Sequence, residues 1–248
     1  MGGDSRPLSL NEKCMFPLRD TVRSRKFPLV NWLLIGANVL VFLYEVSLGP
    51  ARLDSLMADY ALIPARLSLA APLSLITLLT STFLHGGWFH VISNMWTLVI
   101  FGDNVEDRMG SFRYLVFYLM AGVFAGVVQV FFGAGSTIPT VGASGAIAAV
   151  LGAYLLLFPR GRVLTFVPLF FLPWLMEIPA FVYLGLWFLS QLSSGLLALG
   201  AAAGPGSFGG IAWWAHIGGF AFGLLLVRIF ARPQRRMSYS DAGASPAW

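Results

Sequence analysis

Five side chains in this sequence could together break an acyl bond: Ser144, His216, His90, Asn94 and His85. A serine hydroxyl is a poor nucleophile until a base takes its proton, and a histidine within hydrogen-bond reach is the usual base. Ser144 stands in Gly142-Ala143-Ser144-Gly145 at the start of an apolar run. A helix beginning there puts unpaired N–H groups and a positive dipole end beside the hydroxyl. His216 stands in Trp214-Ala215-His216-Ile217-Gly218-Gly219, early in a later run. His90 and Asn94 are four apart and share one helix face. An acyl-transfer transition state needs donors aimed at the developing oxyanion. The Ser144 backbone N–H, the Asn94 amide and a His90 N–H are the available set. No acidic residue falls at their level, since Glu45 lies near the outer end of the first apolar run and Glu177 at the opposite end of the fifth. The pattern is that of a Ser–His dyad rather than a triad. Cys14 is the single cysteine, so neither an internal disulfide nor a cysteine metal site can form.

The elements that hold these groups must be membrane helices. Of 248 residues, 57% are apolar and only 11% charged, with a mean hydropathy of +0.76. A soluble domain carries about 25% charged residues, so a soluble enzyme is excluded, as is a disordered chain. Six segments are apolar enough to form spans of about 20 residues: 30–48, 88–102 with a lead-in from 75, 114–132, 144–158, 177–200 and 211–230. Turn and charge signals separate them at Gly49-Pro50, Gly102-Asp103-Asn104, Gly133 to Pro139, Pro159-Arg160-Gly161 and Gly204-Pro205-Gly206. The runs lack barrel alternation, which leaves a helical bundle. With the N-terminus inside, 14 of 16 Lys and Arg fall on the cytoplasmic side, and only Arg52 and Arg66 fall outside. The basic pI therefore sets orientation and is no footprint for nucleic acid.

Residues 1–27 form a short cytoplasmic N-terminal segment with no cleavage-site pattern, 28–230 the membrane domain, and 231–248 a polar, disordered cytoplasmic tail. The stretch 50–76 reads as a structured segment lying at the outer interface. Trp88, Trp174 and Trp187 read as interface anchors and core filling. Counted from the cytoplasmic anchors at about 1.5 Å per residue, Ser144, His216 and His90 all reach roughly 18–24 Å, with Asn94 one turn lower. Three helices thus bring polar groups to one buried level below the outer edge of a layer about 30 Å thick. Gly142 and Gly145 let a neighbour approach the serine. Gly145, Ala149 and Ala153 face a matching Gly219 and Gly223 stripe, which brings spans four and six together.

On these residues the chain resembles the rhomboid intramembrane serine proteases, over roughly 28–230. The motifs are His85-x4-His90-x3-Asn94, Gly142-x-Ser144-Gly145, Ala215-His216-x2-Gly219-x3-Gly223 and Gly102-x3-Glu106-x-Arg108-x-Gly110. The resemblance implies an all-α polytopic membrane protein, a six-transmembrane-helix bundle of the prokaryotic type in a bacterial inner membrane with both termini cytoplasmic. It implies Ser144 as nucleophile, His216 as base and later acid, and Asn94, His90 and the Ser144 backbone as oxyanion hole. His85 would hold the outer segment, with Glu106 and Arg108 structural. Substrates would be transmembrane protein helices that unwind near a small residue, and cleavage would be hydrolytic, with no cofactor, metal, nucleotide or nucleic acid involved.

Two positions depart from the family pattern. Ile76-Thr77 stands where many members carry Trp-Arg, and Ala148 stands where some have an aromatic ring stacked on the histidine. His216 must then be oriented by other contacts, from Trp213, Trp214 or a residue of span two. The competing functions are a non-catalytic relative that binds transmembrane clients, which would usually lack the serine or histidine, and a histidine-relay transporter. The transporter would need ionisable groups continuing below Asn94, and the sequence offers none.

Overall fold

A computed structural model describes residues 16–169, 172–200 and 212–233. Helices occur at all six apolar segments. Helix α1 covers Leu29–Ser47, and the outer segment folds into α2 (Pro50–Tyr60), α3 (Pro72–Leu75) and α4 (Thr77–Thr80) with short 3₁₀ turns between. Then come α5 (Trp88–Thr97), a π-helical turn at Leu98–Gly102, α6 (Asp103–Met109), α7 (Ser111–Phe132), α8 (Ser144–Leu157), α9 (Ala180–Gly200) and α10 (Trp213–Phe230). Leu29–Ser47, Ser111–Phe132, Ala180–Leu197 and Trp213–Phe230 are each long and apolar enough to cross a bilayer. The pair Pro72–Phe83 and Trp88–Met109, bent by 79°, is long and apolar enough only when the two are counted together as one broken span.

Helix α8 differs from these. Its 14 residues reach only about 21 Å, short of a hydrocarbon layer of about 30 Å. It begins at Ser144 after Gly142, whose φ is +124°. It ends before Pro159, which cannot continue a helix. Every residue from Gly145 to Tyr154 is buried, so α8 is the central post of the bundle. The other long helices expose Leu33, Leu40, Phe131, Leu225 and Ile229 outward, as lipid-facing surfaces must.

The α8–α10 contact is backbone to backbone, as the small-residue stripes predict. A Cβ at Gly219 would run into the Gly145 carbonyl oxygen, one at Gly223 into the Ala149 carbonyl, and one at Gly152 into the Phe220 carbonyl. Only glycine admits such an approach.

Three features differ from the sequence reading. Gly102-Asp103-Asn104 is not a turn, because the helix continues through a π segment to Met109. Asn31 makes this possible from α1: its Nδ2 donates to the Leu98 carbonyl at 2.9 Å, and its Oδ1 accepts from Tyr114 Oη at 2.9 Å. Beside the helical bundle lies a small antiparallel sheet of β1 (Phe16–Asp20), β2 (Arg162–Leu169) and β3 (Leu172–Pro179) in that order. Phe16 pairs with Phe166 and Asp20 with Val163, and Trp96 Nε1 of α5 donates to the Pro17 carbonyl at 2.7 Å. Residues 16–20 are thereby built into the membrane domain, and span five starts at Ala180 rather than 177 because β3 occupies the preceding residues. The Gly204-Pro205-Gly206 signal, most of the 231–248 tail and the first 15 residues lie outside the described residues.

Two clasps of polar side chains close the end of the bundle opposite Ser144. Glu106 caps α1 from α6: its carboxylate accepts from Val30 N at 3.1 Å, Asn31 N at 2.7 Å and Ser111 Oγ at 2.6 Å. These are donors that a helix start leaves unpaired. Asp20 accepts from Tyr154 Oη at 2.6 Å and Asn104 Nδ2 at 2.9 Å. Burial pushes the Asp20 carboxyl up to about 6, against the pull of the Tyr154 hydrogen bond.

Candidate active site

Ser144 opens α8 and His216 lies in the first turn of α10. The glycine contacts between these helices bring the two side chains together, with Ser144 Oγ 2.8 Å from His216 Nε2. This is a hydrogen bond of ordinary length between residues 72 apart in sequence. Both are partly exposed rather than sealed. The start of α10 is fixed by Gln129 of α7, whose Oε1 accepts from Ala215 N at 3.1 Å.

The contacts that orient His216 come from span five rather than span two. Its Nδ1 lies 2.6 Å from Gln191 Oε1, and the Trp187 ring lies 5.9 Å away, both on α9. Trp213 approaches edge-on at 6.4 Å. Trp214 instead stacks on Phe132 at 3.8 Å, away from the histidine. Ala148 is fully buried, and a Cβ at Gly219 would meet its Cβ at 3.2 Å. Gln191 was not singled out from the sequence. The signal was available, since it is an amide inside an apolar run, the kind of residue that marks a site in a membrane helix.

His90 reaches the serine through Gly142. A Cβ at Gly142 would lie 2.6 Å from His90 Nε2 and 3.6 Å from Ser144 Oγ, so the missing side chain is what admits the ring. The Gly86 N–H donates to His90 Nδ1 at 3.4 Å, which leaves the ring proton on Nε2, facing Gly142. Asn94 is not free in the same way. Its Nδ2 donates to His85 Nε2 at 3.1 Å, while His85 Nδ1 donates to the Phe83 carbonyl at 3.3 Å. The buried Glu45 carboxylate accepts from His85 N at 3.2 and 3.3 Å, so it holds the segment before α5 and not the His216 imidazole. His85 and His90 meet edge-on at 5.1 Å. Ser144, His216, His90 and Gly142 therefore converge, with Asn94 one helical turn from His90 and tied to His85.

A cavity of about 20 Å³ opens at Ser144, lined among others by Gly122, Ala125, Gly126, Gly145 and Ala215. That is room for about one water molecule. Among the described residues no three His, Cys, Asp or Glu side chains gather as a metal site. The arrangement can move a proton from an alcohol to an imidazole beside an N–H donor, in a pocket that admits water.

The rhomboid domain family model matches residues 72–233. Human presenilin-associated rhomboid-like protein, mitochondrial, is 35% identical over 141 residues, covering 55% of this chain and 35% of that protein. Rhomboid protease GluP of Bacillus subtilis is 36% identical over 129 residues, covering 52% and 24%. Rhomboid protein 1, mitochondrial, of Saccharomyces cerevisiae is 28% identical over 156 residues, covering 61% and 41%. The matched region thus spans less than half the length of each of these relatives.

Proposed function

This chain belongs to the rhomboid family, and from that premise we propose that it is an intramembrane serine endopeptidase that cuts transmembrane-helix substrates through an acyl-enzyme on Ser144. The observation that carries the reading is the 2.8 Å contact between Ser144 Oγ and His216 Nε2. His216 Nε2 takes the hydroxyl proton as Oγ attacks the scissile carbonyl carbon. The oxyanion forms beside the Ser144 N–H and the His90 Nε2–H, donors fixed before the reaction begins. Collapse breaks the C–N bond, and His216 hands its proton to the departing amine. A water deprotonated by the same nitrogen then attacks the ester, releasing the acid and restoring Ser144.

Asn94 contributes its second amide hydrogen as a further donor, with His85 fixing the amide plane. The cavity at Ser144, about 20 Å³ and lined by Gly122, Gly126 and Gly145, suits a residue with a small side chain at the cut. Substrates and lipid are the partners, with no nucleotide or nucleic acid. We place the protein in a bacterial inner membrane with both termini cytoplasmic, a reading supported by the inward bias of its basic residues and by the bacterial relative. The mitochondrial relatives make an organellar membrane the alternative compartment.

The test is cleavage of a transmembrane reporter by the full chain reconstituted in liposomes. Wild type cuts, and Ser144→Ala and His216→Ala each lose at least about 10³-fold in rate. Undiminished cleavage by Ser144→Ala rejects the assignment.

A further inference from the structure

His216 has no aromatic partner on α8, because position 148 is an alanine buried against α10. A histidine base needs one ring nitrogen protonated and turned away, and the other bare and aimed at the nucleophile. On α9, Gln191 is 7% exposed and stands four residues after Trp187, so both point from one face of that helix toward the ring. A buried amide is costly unless its groups are bonded. Gln191 Nε2 donates to Ser190 Oγ at 3.0 Å, which leaves Oε1 as the atom presented to His216 Nδ1 at 2.6 Å. That oxygen can only accept, so the proton sits on Nδ1 and the Nε2 lone pair is left for the Ser144 hydroxyl. The opposite tautomer would point an N–H at the serine oxygen and set two lone pairs against each other at Gln191.

Resting on the protease reading, we propose that Gln191 is the positioning residue of the dyad: it fixes the tautomer and ring plane of His216, the task a carboxylate performs in a triad. The amide keeps accepting from Nδ1–H when the ring becomes an imidazolium, so the orientation is the same before and after proton transfer. The geometry therefore depends on α9 being seated against α10.

Gln191→Leu, Gln191→Glu and Ser144→Ala are compared in the full reconstituted chain by reporter kinetics and by NMR of ¹⁵N-labelled histidine, which is simplified by there being only three histidines. Gln191→Leu should lower kcat about 10²-fold with little change in KM, and the protonated-Nδ1 signature of His216 should give way to a tautomer mixture. Gln191→Glu, whose oxygen also accepts, should recover most of the rate and the signature. The proposal is overturned by Gln191→Leu with wild-type kcat and tautomer while Ser144→Ala is dead. It is overturned equally if both Gln191 variants lose rate while the His216 tautomer stays native, since that is a packing defect. Cleavage by Ser144→Ala would instead remove the protease reading on which the role rests.

Discussion

The two ends of this bundle use buried polar groups in opposite ways. At the end far from Ser144, Glu106 uses its carboxylate on two backbone N–H groups and a serine, and Asn31 ties the Leu98 carbonyl to Tyr114. At the other end, Ser144 and His216 hold one hydrogen bond between them beside a cavity, and His90 turns an N–H toward Gly142. A saturated network is a fastening, while a network with capacity left over can receive a reacting group. The family motifs contain both kinds, and counting spent lone pairs separates them.

That contrast can be tested by substitution. Outside the dyad itself, the largest effect on chemistry should come from Asn94→Ala, which removes an oxyanion donor and unties His85, lowering kcat about 10²- to 10³-fold in the reporter assay. The stranded His85 Nε2 should cost about 1 kcal/mol of stability, and a loss as large as that of Glu106→Ala would class Asn94 with the fastenings. Glu106→Ala should do the reverse. Stranding the buried N–H groups of Val30 and Asn31 should cost about 3 kcal/mol of stability, with the kcat of the folded fraction unchanged. A matching loss of kcat would show that the two ends are coupled.

The smallest effect concerns Asp20. Its folded pKa of about 6 lies above the ordinary carboxyl value. Its contribution to stability is therefore full below about pH 4 and lost as the pH rises through about 6. Tyr154, Asn104 and the neighbouring Asp103 are the groups around it. Asp20→Asn should flatten that dependence by about 1 kcal/mol, as measured by unfolding at pH 4 and pH 7.

What the sequence made legible follows from how local each signal is. Gly145, Gly219 and Gly223 announced a close helix contact by spacing alone, and Ser144 and His216 took their places from it. The π turn at Leu98–Gly102 did not show, because its stray carbonyl is satisfied by Asn31, a residue 67 positions away. Strand β1 is five residues long and exists through pairing with residues around 163–166, a match no local pattern reveals. Gln191 went unread for a different reason: no motif or spacing ties a lone amide in α9 to His216, 25 positions away. Asn94 was legible as a site residue, but its bond to His85 was not, since it depends on the bend between the helices on either side of Gly87.

The central claim is that Ser144 is activated by His216. A fluorophosphonate reports this directly, because it reacts with a serine only where a base has made the hydroxyl nucleophilic. In lipid, mass spectrometry of the labelled chain should find the adduct on Ser144, and His216→Ala should abolish it. An unlabelled Ser144 in the folded wild-type protein, or equal labelling without His216, would contradict the account.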